Sequence, residues 1–157
     1  MTVPADSDGF DTGIVLEEGS AYELEARGRW NDDWIVCRPD GVPVNHGLTQ
    51  RLKARVFQRG VRTIFRLLRH IRLWPRSGVE SLAKYRLFAL LGEVRQANGA
   101  RSETFLIGFG PRRFKPPATG ALVVRANDYP SMYGNNSGEI TLYVRKITEE
   151  REIEVRH

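Results

Sequence analysis

Asn127-Asp128-Tyr129-Pro130-Ser131-Met132-Tyr133-Gly134-Asn135-Asn136-Ser137-Gly138 joins two strand-like runs and carries one carboxylate, three side-chain amides and two glycines. Hard oxygen donors on a backbone that can bend sharply are what Ca2+ asks of a protein. The ion takes about six to eight oxygens, so a loop that fills part of the shell leaves room for water or for a ligand's hydroxyls. The stretch points to binding rather than catalysis. A plainer alternative is a long hairpin connection in which Gly134 and Gly138 adopt positive φ and the asparagines bond their own backbone.

The flanks of this loop read as β. Residues 120–126 before it and 139–146 after it are strand candidates, as are 85–91 and 104–109. Near the N-terminus, 13–16 and 21–26 are short runs separated by the turn-prone Glu17-Glu18-Gly19-Ser20. In the second, Tyr22, Leu24 and Ala26 share one face and Glu23, Glu25 and Arg27 the other. Such strands, with long irregular connections and few tight hairpins, suit an all-β sandwich of jelly-roll type.

The middle of the chain departs from this pattern. Val61, Ile64, Phe65 and Leu68 recur at helical spacing with Arg59, Arg62, Arg66 and Arg69 opposite, which predicts an amphipathic helix. A weaker helical pattern from 48 to 58 precedes it, and Gly60 is a candidate break. The helical insertion is expected around 48–76, within a segment of about 47–83. Nine basic and no acidic residues fall between Arg51 and Val79; removing those nine from the net charge of +5 leaves the remainder at −4. The chain therefore reads as a mildly acidic domain with one basic segment, and no nucleic-acid partner is expected. The helix has three readings: an apolar stripe docked on the sandwich, an oligomerisation surface, or a contact with an anionic membrane or nucleic acid.

At 157 residues the chain is expected to form one domain, 1–157, large enough to bury a core without staples. Cys37 is the only cysteine, so neither an internal disulfide nor a cysteine-based zinc site is available. No long apolar run or secretory signal is evident, and a cytoplasmic location is the default expectation, with export by a signal-independent route left open. The three histidines sit in no recognisable catalytic motif, and no P-loop or dinucleotide fingerprint occurs. An enzyme is not expected.

The order Asp128-x-Pro130-x-x-Tyr133-Gly134-Asn135-Asn136-Ser137-Gly138 resembles the calcium- and sugar-binding loop of bacterial galactophilic lectins of the LecA type, which have a galactose-binding-like β-sandwich. Val3-Pro4-Ala5, Thr12-Gly13-Ile14, Glu18-Gly19 and Glu25-Ala26-Arg27-Gly28 are similar to the N-terminal strands of those lectins in order and spacing, and 87–92 and 105–108 to later core strands. The likeness covers roughly 2–30 and 84–146; the 47–83 segment has no counterpart.

The resemblance implies a calcium-dependent lectin for galactose or a related sugar, working as a homo-oligomer. It implies Ca2+ held by the side chains of Asp128, Asn135 and Asn136 and by the carbonyls of Met132 and Asp32, with Asn31 or Asp33 as alternatives to Asp32. Two adjacent sugar hydroxyls would replace waters on the ion and bond Asp128 and Asn135, with Tyr129 beside them. A second loop, reaching the sugar with a His and a Gln in that family, maps near His46 and Gln50 with one extra residue between them. One carboxylate would leave the loaded site net positive. Trp30 and Trp34 offer an aromatic wall beside the metal; the alternation of the strand instead favours Trp30 in the core. The rival function is a non-catalytic interaction module on the same scaffold, using the arginine-rich helix for a partner, an anionic membrane or its own copies.

Overall fold

In the computed structural model, which describes residues 1–45, 47–70 and 81–148 (68–70 by backbone alone), the core is organised on one strand, β3 (Ala21–Asp32). Tyr22, Leu24, Ala26 and Trp30 fall at even spacing and are all buried, as the period of two requires. β3 pairs along its whole length with β9 (Asn136–Ile147), from Ala21↔Ile147 to Asp32↔Asn136. β1 (Thr2–Pro4) extends the sheet beyond β9, and β4 (Ile35–Cys37) and β7 (Arg112–Phe114) flank β3 on its other side.

The facing sheet runs β2 (Phe10–Leu16), β8 (Gly120–Ala126), β5 (Leu90–Arg95), β6 (Phe105–Leu106). Every strand pair in both sheets is antiparallel. Leu16, Leu90 and Leu122 from this sheet meet Leu24, Trp30, Ile140 and Leu142 from the other, all fully buried in one cluster. The fold is an all-β sandwich.

Two strand expectations shift. The 85–91 run is not a strand throughout: Ala89 N bonds Arg86 O (3.2 Å) and Phe88 sits at φ +60°, so the chain turns before β5 begins at Leu90. The turn is tied down by Trp30, whose Nε1 donates to Phe88 O at 2.9 Å in the core. The 127–138 stretch is also less of a loop than its composition implies. β9 starts at Asn136, and Gly138 lies inside it opposite Trp30, at φ +86°; a Cβ there would stand 3.4 Å from Trp30 Cα. Gly134 lacks a positive φ.

The inserted helix α1 (Leu48–His70) runs through Gly60 without a break, because the space around that glycine is open and nothing forces a kink. Its docked stripe is Ala54, Gln58, Val61 and Phe65, at spacings of four, three and four. The expected stripe is rotated. Ile64 is 55% exposed, and Leu52, Val56, Phe57 and Leu67 share the outward side with it. Arg62 and Arg66 border the docked stripe instead of opposing it; Arg66 Nε donates to Ala83 O at 3.4 Å. Residues 71–80, which include the expected end of the helical insertion, lie outside the described residues.

Trp30→Phe keeps an aromatic ring but strands the Phe88 carbonyl and leaves a small void. A loss of about 2–4 kcal/mol in unfolding free energy is expected, read by urea denaturation.

Candidate functional site

Three strand ends converge at one edge of the sandwich. The β3–β9 register sets Asp32 opposite Asn136, and Asp33 N donates to Asn135 O at 3.2 Å just beyond the last pair. Asp33 takes φ +47°, a left-handed turn that acidic residues tolerate better than most. From the facing sheet, β8 delivers Asp128 through Asn127. Asn127 is buried and its amide nitrogen donates to Arg86 O (2.9 Å) and Ser81 O (3.2 Å), which fixes the exit of the strand.

Pro130 then opens the 3-10 turn Pro130–Asn135, which returns the chain to β9. Tyr133 anchors this turn from below, its hydroxyl donating to Ala126 O at 2.5 Å. Met132 lies within the turn with its side chain half exposed, so only its main chain is committed to the loop's shape.

The side chains form two amide–carboxylate pairs. Asn135 Nδ2 donates to Asp32 Oδ1 at 2.8 Å, and Asn136 Nδ2 donates to Asp128 Oδ2 at 2.8 Å. Asp128 Oδ1 accepts from Tyr129 N at 2.7 Å, and Ala5 O lies 3.3 Å from Asn136 Nδ2. Burial pushes both carboxyls above the usual range. Asp32 rises to about 6, from burial first and from the negative charge of Asp128 second, opposed by the Asn135 hydrogen bond. Asp128 rises through burial, opposed by its bonds from Asn136 and from the Tyr129 amide.

This arrangement fits a hard divalent cation. Asn136 is only 7% exposed, and its Oδ1 is buried without a hydrogen-bond partner among the described residues. The amide can serve Asp128 through nitrogen and strand its oxygen, or turn the oxygen toward Asp128 and meet like charge. A cation between the two oxygens satisfies both groups. It also relieves the repulsion between Asp32 and Asp128. The donor set is two carboxylates with amide and carbonyl oxygens, and no group of three or more His, Cys, Asp or Glu side chains gathers among the described residues. Carboxylate and amide oxygens are hard donors of the kind a cation such as Ca2+ takes.

The sequence brought Asp128, Asn135 and Asn136 to attention; all three meet here. It assigned Asp32 only through its carbonyl, whereas the Asp32 carboxylate is itself in the cluster. A signal existed. Asp32 shares strand parity with Trp30, so an inward Trp30 implies an Asp32 facing the same side at the strand's end. The cluster therefore holds two carboxylates where the loop alone offered one.

Tyr129 stacks on Phe65 of α1, centroids 6.0 Å apart at 23°, so the insertion presses directly on the site loop. Trp34 is 46% exposed and packs edge-on against Phe57 at 6.2 Å. Trp30 is in the core and unavailable as a wall. Gln50 is exposed on α1, and no hydrogen bond joins it to the cluster; His46 lies outside the described residues.

No family model matches this chain, and no curated protein matches it in sequence. Among solved structures, it is similar to one described as an EclA N-terminal domain, a PllA-like lectin, with a TM-score of 0.55, 19% identity and 94% of each chain covered. At that identity the likeness is one of fold. The protein is a lectin-like β-sandwich.

In the metal-free protein, a folded Asp32 pKa raised to about 6 against about 3.9 unfolded favours the protonated carboxyl. Its stabilising contribution is therefore full below the unfolded value and lost as pH rises through about 6. Thermal melts in chelator are expected to show a fall in stability across that window that Asp32→Asn removes.

Proposed function

We propose that the protein is a calcium-dependent carbohydrate-binding protein whose ion is held by Asp128, Asn135, Asn136 and Asp32, with the Met132 carbonyl completing the protein's share. The observation that carries this reading is the buried, unpartnered Asn136 Oδ1 beside two carboxylates of raised pKa. The lectin fold of the structural neighbour supports the ligand class. Galactose or a related hexose is the proposed sugar, on the resemblance of the 128–138 loop.

The division of labour follows from the chemistry of each group. Bound Ca2+ supplies Lewis-acid sites at which neutral hydroxyls replace water. Asp128 and Asn135 orient those hydroxyls, the carboxylate accepting and the amide donating. Tyr129 and Phe65 hold the loop so that this geometry exists before ligand arrives. No covalent step is involved, and the protein is proposed to be non-catalytic.

A few polar contacts barely exceed the entropy of association, so a single site binds a monosaccharide with Kd of order 10⁻⁵–10⁻³ M. Useful avidity takes several copies, and a homo-oligomer is part of the proposal. Sedimentation velocity is expected to find a multiple of the 17.9 kDa chain mass.

Calorimetric titration of chelator-stripped protein with Ca2+ is expected to give saturable heat at one site per chain, absent in Asp128→Ala and weakened at least about tenfold in Asn136→Ala. Galactose added to the loaded protein is expected to bind, and to lose binding when chelator is added. Calcium heat unchanged in Asp128→Ala contradicts the metal assignment; calcium binding with no response to a monosaccharide panel contradicts the sugar assignment.

A further inference from the structure

Away from the edge just described, a cavity of about 460 Å³ opens between α1, the chain after β4 and the turn before β5. It is lined by Arg55, Gln58, Arg59, Arg62 and Arg86, with Val42 and Pro43 forming one wall. Arg55, Arg59 and Arg62 follow one another at spacings of four and three, so they stack along a single flank of the helix. Arg86 faces them from the turn before β5.

That turn is built to be rigid. Leu90 N donates to Pro39 O at 2.7 Å, and Asn127 Nδ2 donates to Arg86 O at 2.9 Å. Gly41 sits at φ +72°, where a Cβ would lie 2.5 Å from Leu87 O and 2.8 Å from Arg86 Cβ. The glycine allows the two segments to approach this closely, and the Arg86 backbone is thereby fixed opposite the helix.

Like charges three and four residues apart on a helix destabilise it, and a fourth guanidinium across the cavity adds to the cost. No lining residue is acidic, and none of the four arginines forms an ion pair among the described residues. Arg62 is partly buried, and its pKa is lowered by that burial and then by Arg66 and Arg86. Arg55, Arg59 and Arg86 are exposed and Arg62 is half-buried, and all four line one concavity.

We propose that this cavity is a binding site for a phosphate-type oxyanion, Arg62 and Arg86 gripping it from opposite walls and Arg55 and Arg59 closing the open side. Guanidinium forks match phosphate oxygens in a way that ammonium groups do not. Four cations are matched better by two phosphoryl groups than by one, so a pyrophosphate or bisphosphate is the preferred class. The ligand has two possible sources, a soluble phosphate ester or a lipid headgroup, and the exposed Leu52 and Leu67 on the neighbouring face of α1 keep the second open.

Titration of the full chain with inorganic pyrophosphate, in chelator to keep the calcium site out of play, is expected to show saturable 1:1 binding. Arg62→Gln and Arg86→Gln are each expected to weaken it at least about tenfold. Arg112→Gln, on β7 and outside the cavity, removes the same charge and is expected to change it less than about twofold. Thermal melts confirm that the variants are folded; Arg86 is held through its carbonyl, so its side chain is replaceable. Co-sedimentation with phosphatidylglycerol vesicles identifies the source: competition by pyrophosphate and loss in the same variants assign a headgroup, and indifference to vesicles assigns a soluble ester. Absence of saturable pyrophosphate binding, or equal weakening in all three variants, overturns the proposal. So does vesicle or duplex-oligonucleotide binding that pyrophosphate does not displace.

Discussion

The twelve-residue pairing of β3 with β9 is the constraint on which the rest depends. A one-residue slip would turn Trp30 out of the core and Asp32 away from Asn136 at the same time, because side chains alternate along a strand. The correct register does both jobs together. It buries Trp30, whose indole then holds the Phe88 turn, and it closes the strand pair at the point where Asp32 meets the asparagines. Gly138 makes this possible by taking a φ of +86° opposite Trp30, a conformation that would strain any other residue. Packing and site chemistry therefore share one determinant.

The amide–carboxylate cluster is costly as it stands. Two partly buried carboxyls repel each other, and one buried amide oxygen goes without a partner. Folds keep such local costs where a function repays them. The surrounding anchors are tied to the backbone: Tyr133 and the amide nitrogen of Asn127 each bond a main-chain carbonyl, although Asn127 Oδ1, like Asn136 Oδ1, is buried without a partner among the described residues. Anchored side chains around an unsatisfied centre are the arrangement expected of a preorganised ion site.

Much of this was legible from the chain alone, and the limits were physical. Alternation in 21–26 and the apolar run 120–126 identified β3 and β8, because two-sided burial leaves a period of two or an unbroken apolar segment. The short strands β4 and β7 escaped, since three residues carry no period, and β1 was reached only through the likeness of Val3-Pro4-Ala5 to a lectin strand. The 85–91 run misled because its apolar residues are buried in a turn, which composition does not distinguish from a strand. In α1 the expected stripe held at Val61 and Phe65 and failed at Ile64: Val, Ile, Phe and Leu occur around much of the helix circumference, so 64 and 65 competed for the inward position. The Asp32 side chain was missed because its role depends on the pairing of residues about a hundred apart in sequence. Whatever α1 contributes through its arginines was visible only as charge until the turn at Arg86 closed the cavity.

The most direct test of the central claim is a crystal structure of the calcium-loaded protein. One ion is expected about 2.3–2.6 Å from oxygens of Asp128, Asn135 and Asn136, with the Asn136 amide turned so that Oδ1 and not Nδ2 faces it. An ion bound elsewhere, or an Asn136 nitrogen still bonded to Asp128 in saturating calcium, would contradict that claim.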